Sequence, residues 1–337
     1  MINRVFLFTM LLFVPIKALT FEIGVSTHID GYKQKPEHYL TLMKSMGVTS
    51  FRNDYWWSQL EQFKNNYTVT SKLDKSTKIF ESSSQQGISG MLILGYGNKL
   101  YSSGDYPRTE EDVDAFINYV QWVVTRFKHK VKYYEIWNEW YQGTGMGSYS
   151  KNKPTDEQYI QFISKVYKKI KEIDPEAIVI AGGFNPLVGK QRVWFSGLVD
   201  KGFLNNIDGV SIHPYSYYRG SEYRTAEANM AVIDEFHNSY SQKNINFPMY
   251  ITELGIPNGL LKNSYTENDS AQFIMQYIQL AKQRDFIKGV WFYDLIDDGK
   301  NPFDYEQNFG LLKNNEEPKI IGEKLMKSTG ALNGSEG

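Results

Sequence analysis

Eight short apolar runs, each separated from the next by a longer amphipathic stretch, set the terms on which this chain can fold. The runs are FEIGVSTH (21–28), TSFRNDY (49–55), GMLILGYG (90–97), KYYEIWNE (132–139), IVIAGG (178–183), GVSIHPY (209–215), MYITELG (249–255) and GVWFYDL (289–295). Several are apolar at consecutive positions, the pattern of parallel strands covered on both faces. The stretches between them repeat at helical spacing. Val113, Phe116, Ile117, Val120, Val124 and Phe127 share one face, and Tyr159, Phe162, Ile163, Val166, Tyr167, Ile170 and Ile173 share another. Thr155 and Thr266 stand where N-caps belong, with Glu267 and Asp269 in the turn after the second, and Pro175 stops the stretch that ends at Asp174. Strand and helix alternating eight times without a break in composition predict an α/β fold, a single (β/α)8 barrel over residues 21–329. A doubly wound open sheet would carry a glycine-rich phosphate turn after an early strand, and none is present. Residues 330–337 are expected to be a frayed tail.

The N-terminus reads separately. Arg4 precedes the apolar run Val5–Ile16, and small residues follow near Ala18 and Thr20. The run is too short for an ordinary spanning helix, so residues 1–20 are expected to be a secretory signal peptide that sends the protein to the periplasm or beyond. Lys17 near the cleavage region leaves an uncleaved anchor as the alternative. The chain has no cysteine, which excludes disulfides, thiol catalysis and cysteine-based metal sites. With a formal charge of −1 and no basic stripe, nucleic acid is not an expected partner, and a monomer is expected. The five histidines (28, 38, 129, 213, 237) show no paired ligand spacing, so neither a metal nor a cofactor is expected. No serine lies in a nucleophile elbow, and no strand end offers a Schiff-base lysine or a metal cluster. Aromatics make up 15% of the chain, a surplus that serves a core but also suits a sugar cleft, where flat rings stack on C–H faces.

In a barrel of this kind chemistry collects at the C-terminal ends of the strands. Those ends hold His28, Arg52 with Asn53 and Asp54, Tyr96, Asn138 with Glu139, His213 with Tyr215, Glu253, and Trp291 with Asp294. Glu139 and Glu253 close the fourth and seventh runs. Paired carboxylates in distinct surroundings are what glycoside hydrolysis needs: one protonated to serve the leaving oxygen, one ionised to attack or to activate water. A structural ion pair in the barrel mouth is the competing reading for the two acids.

Two stretches, IWNEW (136–140) and YITELG (250–255), resemble the signatures of the clan A glycoside hydrolases, retaining (β/α)8 enzymes. The likeness extends to Arg52, to His213-Pro214-Tyr215 and to Trp291. NFGLL (308–312), followed by Pro318-Lys319, is similar to the segment after the last strand in families 39 and 5; family 39 stands nearest, family 5 next. The resemblance implies that Glu139 is the general acid/base and Glu253 the nucleophile. It implies that Arg52 and the Tyr215 hydroxyl hold Glu253 ionised, that Asn138 donates to the sugar 2-hydroxyl, and that Trp291 floors the −1 subsite. His213 would orient a catalytic group or bind substrate, and His28 would bind substrate or sit in the core. Trp140, where many relatives have proline, would shape the leaving-group side, and with Trp137 would give Glu139 an apolar setting suited to a proton donor. Of Tyr55, Trp56 and Trp57, at least one ring is expected in the core and one is a candidate sugar platform. Tyr217, Tyr218 and Trp194 are expected in packing, and Asp294, Asp297 and Asp298 as solvated loop acids. The function implied is an exported retaining O-glycosidase acting on a cell-surface polymer or exopolysaccharide. An exo-acting xylosidase-like enzyme or one acting on plant polysaccharide is the alternative, and a carbohydrate-binding barrel without catalysis is a further one.

Overall fold

The structure, a computed structural model, describes residues 20–145 and 153–330. The expected leader, apart from Thr20, and the tail beyond Gly330 lie outside those residues. Eight strands close a barrel: β1 (Glu22–Ser26), β2 (Ser50–Trp56), β3 (Ser89–Gly95), β4 (Tyr133–Ile136), β5 (Ile178–Phe184), β6 (Gly209–Ile212), β7 (Met249–Leu254) and β8 (Ile287–Phe292). Every strand pairs in parallel with its neighbour in the chain, and β8 returns to β1 with Trp291 opposite Gly24 and Phe292 opposite Val25. The predicted (β/α)8 barrel is therefore the fold.

Each strand is followed by a helix on the outside: α1 (Pro36–Ser45), α2 (Asp74–Ser82), α3 (Glu110–Phe127), α4 (Asp156–Ile173), α5 (Gly189–Asp200), α6 (Ala226–Ser241), α7 (Glu267–Lys282) and α8 (Ile320–Ser328). Local chemistry sets their ends. Thr155 accepts from the Gln158 backbone while the Gln158 side chain accepts from Thr155, a complete capping box; Thr109 and Asp112 make another at α3. Thr266 accepts from Asp269 N at 3.1 Å to start α7. The apolar faces read from the sequence turn inward, so Phe116, Val120, Val124, Phe162, Val166 and Ile170 are all buried between helix and sheet.

The barrel interior is layered, because alternate residues of each strand point inward. Met91, Tyr133, Ile180, Tyr250 and Trp291 form an apolar layer. Gly24 makes room for it, since a Cβ there would lie 2.2 Å from the Trp291 indole. Two residues further along their strands come Ile93, Glu135 and Thr252, with Arg52 two beyond Ser50, so the next layer toward the C-terminal mouth is polar and charged. The site stands on that layer.

Candidate active site

The fourth strand delivers its acid by leaving β geometry. Trp137 and Glu139 both have left-handed backbones, with φ of 64° and 47°. The turn throws Trp137 and Trp140 outward and brings Asn138 and Glu139 to the mouth. Trp140 packs on Tyr106, Tyr159 and Phe162, and Trp137 on Tyr106, Phe116 and Trp140. Close approach of β5 is required here: Gly183 has φ +57°, and a Cβ on it would lie 2.8 Å from the Glu139 nitrogen.

Glu139, on the fourth connection, and Glu253, on β7, converge on one imidazole. His213 Nδ1 lies 3.0 Å from Glu139 Oε1 and 3.1 Å from Glu253 Oε2, while its Nε2 lies 2.9 Å from Thr252 Oγ1. An oxygen of Glu139 and an oxygen of Glu253 come within 4.8 Å of each other. Thr144 Oγ1 donates to Glu139 Oε2 at 3.0 Å. Arg52 extends three bonds: Nη1 to Glu253 Oε1 at 3.3 Å, Nη2 to Asn138 Oδ1 at 2.9 Å, and Nε to Glu135 Oε2 at 2.6 Å. Thr252 Oγ1 donates to Glu135 Oε1 at 2.9 Å, which closes the circuit Glu253–His213–Thr252–Glu135–Arg52. With its oxygen held by Arg52, Asn138 has its amide nitrogen left to face the cleft.

The electrostatics follow from this circuit. Burial acts to raise the Glu253 carboxyl, but the charge and hydrogen bond of His213, with Arg52 and His28, overcome it and hold it down at about 2. Burial acts to lower His213, and the two glutamates outweigh it, raising the imidazole to about 9. At neutral pH the centre therefore holds an ionised Glu253 against an imidazolium that also touches Glu139.

A cleft of about 420 Å³ opens over these groups, lined among others by His28, Asp54, Trp56, Tyr96, Tyr215, Tyr217, Tyr218, Tyr293 and Glu306. His28 stands at its edge, about one third exposed, with Nδ1 2.8 Å from Asp298 Oδ1. Burial acts to lower it, and the bond to Asp298 with the charges of Asp294, Asp298 and Asp54 lift it to about 9. Tyr96 donates to Asp54 at 2.6 Å, and Trp56 leans on the Tyr96 ring with centroids 4.6 Å apart.

The structure gathers Glu139, Glu253, Arg52, Asn138, His213, Tyr215 and His28 at one cleft, and it corrects other expectations. Trp140 does not reach the leaving-group side, because it is buried against α4, and neither tryptophan walls Glu139, which faces His213 and Thr144 instead. Trp291 is fully buried one layer below the charged residues, its Nε1 donating to Ser50 Oγ at 3.0 Å, and Tyr293, two residues on, is the eighth-strand aromatic that lines the cleft. The Tyr215 hydroxyl makes no hydrogen bond to Glu253 among the described residues; His213 occupies that position. Tyr217 and Tyr218 line the cleft rather than serving only in packing, whereas Trp194 packs on Tyr141, Tyr159 and Phe184. Tyr55 and Trp57 are core and Trp56 faces the cleft. Two of the loop acids are not solvated: Asp294 is 1% exposed and Asp297 pairs with Lys319 at 2.7 Å, whereas Asp298 is exposed as expected and holds His28. Glu135 was the acid overlooked. It lies in the same run as Glu139, on the inward parity of Tyr133, and that parity was the available signal.

The cellulase family, glycosyl hydrolase family 5, matches residues 17–294 of the chain. This protein belongs to that family. It is thus a clan A glycoside hydrolase acting on glycosides, in keeping with the resemblance to families 39 and 5. No curated protein matches it in sequence. Among solved structures, it is similar to a family 39 glycoside hydrolase from the gut symbiont Bacteroides cellulosilyticus WH2 with a TM-score of 0.76 at 21% identity, over 94% of this chain and 65% of that one. The family 5 chain thus spans about two thirds of that relative's length. Xylanase 10B from Thermotoga petrophila RKU-1, solved with xylobiose, superposes with a TM-score of 0.65 at 17% identity, covering 92% of this chain and 95% of the xylanase. An exo-β-1,4-mannosidase from Opitutaceae bacterium strain TAV5 gives 0.67 at 13% identity, over 93% and 59%. At these identities the likeness is one of fold.

Proposed function

We propose that this family 5 protein is an exported retaining O-glycosidase that cleaves a polysaccharide, the polymer being one of a cell surface or exopolysaccharide. The observation that supports this most directly is the single imidazole shared by Glu139 and Glu253, whose oxygens come within 4.8 Å of each other. Retaining enzymes hold their carboxyl groups about 5–5.5 Å apart, whereas inverting enzymes need about 6.5–9.5 Å to admit a water. Glu253, ionised and tethered by Arg52 and His213, attacks the anomeric carbon as the glycosidic C–O bond breaks, and Glu139 gives its proton to the departing oxygen. The resulting glycosyl ester on Glu253 is then cleaved by water, which attacks the same carbon after losing a proton to Glu139. His213 serves both halves: it stabilises the anion of Glu253 before attack and that of Glu139 after proton transfer. Asn138, its amide oxygen pinned by Arg52, presents N–H to the sugar 2-hydroxyl.

The test is turnover of a panel of polysaccharides by Glu253→Gln and Glu139→Gln. Loss of at least about a thousandfold in kcat is expected for each, and undiminished turnover in either variant would overturn the assignment. A 2-fluoro glycoside should leave a covalent adduct that peptide mass spectrometry locates on Glu253; an adduct elsewhere would refute its nucleophile role. Export is checked by expressing the full chain with its own N-terminus and sequencing the first residues of the protein recovered outside the cytoplasm.

A further inference from the structure

Glu306 stands on the wall of the cleft supplied by the long connection from β8 to α8, on the single 3-10 turn Tyr305–Gln307. That turn is braced throughout. Asp304 Oδ1 accepts from Glu306 N at 3.1 Å, and the Gln307 side chain spans Asp304 Oδ2 at 2.9 Å and Asn301 N at 3.1 Å. Asn308 Nδ2 donates to the carbonyls of Asn301 and Asp304 at 2.7 and 2.6 Å, and the Asn308 carbonyl accepts from Lys319 Nζ at 3.2 Å. The Tyr305 ring packs against Tyr217, centroids 5.1 Å apart. The Glu306 side chain is exposed at the cleft, and among the described residues nothing donates to its carboxylate and no cation pairs with it. The charges that bear on it are Glu253, Asp304, Asp298 and Glu139, all of its own sign.

Among the described residues, each cation of the cleft already holds an acidic partner. Arg52 is committed to Glu135, Glu253 and Asn138, His213 to the two glutamates and Thr252, and His28 Nδ1 to Asp298. Asp54 adds a further carboxylate beside Tyr96. A carboxylate fixed on a rigid turn, facing a cleft and short of donors, matches adjacent hydroxyl groups, which can give it two hydrogen bonds at once. It repels a second carboxylate brought into the same partly desolvated space.

We propose that Glu306 is a specificity-determining residue: it accepts hydrogen bonds from hydroxyls of the sugar bound beside Glu253, and with Asp54 it excludes a uronic acid from that position. The proposal rests on the glycosidase reading and deepens it by separating polymers cut at an uncharged unit from those cut at a uronide.

The experiment uses matched pairs. Polygalacturonate, polymannuronate and glucuronoxylan are offered to the full chain before and after chemical reduction of their carboxylates to alcohols, alongside unmodified glucan, mannan and xylan. Turnover is followed by reducing ends and affinity by calorimetry. The wild type should favour each reduced form over its carboxylated parent by at least about tenfold, because one unpaired charge is decisive in such a site. Glu306→Gln should raise KM about tenfold on the best neutral glycan with a smaller change in kcat and an unchanged thermal midpoint, which a merely structural residue would not give. Glu306→Lys should shift preference toward the carboxylated parents. Equal use or equal affinity of parent and reduced forms by the wild type, or a wild-type KM in both variants, would overturn the proposal. Preferential binding of the reduced forms without hydrolysis of any glycan would leave this proposal standing while removing the glycosidase reading.

Discussion

Arg52 donates through Nε to Glu135 at 2.6 Å, at a depth where neither side chain meets solvent. Glu135 is the counter-charge that lets a guanidinium stand inside the barrel and still offer its other two nitrogens to Glu253 and Asn138. Glu135 also anchors Thr252, and through it His213, so one residue with no access to the cleft braces both supports of the nucleophile.

Breaking that support is expected to be costly in stability first. Glu135→Ala leaves a buried cation without its closest partner, a class of change that costs about 3–5 kcal/mol. Urea unfolding should show a loss of that order. Glu135→Gln, which can still accept from Arg52, should lose less stability but should release Arg52 toward Glu253 and lower kcat. A midpoint unchanged in Glu135→Ala would mean that Arg52 is held by other means.

The paired titration of His213 and Glu253 predicts two pH limbs of stability. His213 is raised from its ordinary 6.5 to about 9 in the folded protein, so its contribution is complete below about 6.5 and is lost as pH climbs through about 9. Glu253 is depressed from 4.5 to about 2, so its contribution is present above about 4.5 and is lost as pH falls through about 2. Thermal midpoints from pH 2 to 10 should plateau between about 4.5 and 6.5 and fall on both sides. His213→Gln should shrink the alkaline limb to the part that His28, also raised to about 9, supplies. It should weaken the acid limb as well, because His213 is the main support of the Glu253 anion. Two unchanged limbs in this variant would assign them to other groups.

Much of this was legible in advance, for physical reasons that also mark where legibility stopped. Strand and helix periodicity is local, so all eight runs became strands within a few residues of their expected ends. Glu139 and Glu253 stood out because charge at the end of an apolar strand has few uses. Parity would also have found Glu135, and would have placed Tyr293, not Trp291, at the mouth, since 291 and 293 face the same way but lie one layer apart. Trp140 was beyond parity: two left-handed residues break the strand rhythm, and its burial depends on Tyr159 and Phe162 arriving from α4. Glu306 and the pairs Asp297–Lys319 and Asp298–His28 belong to connections with no period to read, and only the folded loop brings them together.

The close passage of β5 behind the acid makes Gly183 a sensitive position. Gly183→Ala would put a Cβ 2.8 Å from the Glu139 backbone and would strain a left-handed residue, which costs about 1–2 kcal/mol on its own. Glu139 should be displaced by a fraction of an ångström, lowering kcat about tenfold or more, because general acid catalysis depends on position at that scale. Little change in KM is expected. Wild-type kcat in this variant would show that Glu139 tolerates a looser seat.

The two aromatics of the eighth strand should separate fold from function. Trp291 fills the space above Gly24 and donates to Ser50 Oγ, a hydroxyl that keeps its own bond to the Ser89 carbonyl. Trp291→Phe therefore leaves a void and removes one bond from that hydroxyl, and should cost about 2–4 kcal/mol in unfolding free energy. Its KM should hold, since no part of the indole reaches the cleft. Tyr293 contributes its ring to the cleft beside His28, centroids 5.6 Å apart, and to the packing of Phe309 at 5.5 Å. Tyr293→Ala should therefore raise KM about tenfold or more through lost stacking on the sugar, at a stability cost no greater than that of Trp291→Phe. If instead Trp291→Phe raised KM and Tyr293→Ala left it unchanged, the cleft floor would lie a full layer deeper than the strand register places it, and the aromatic that meets the sugar would be Trp291.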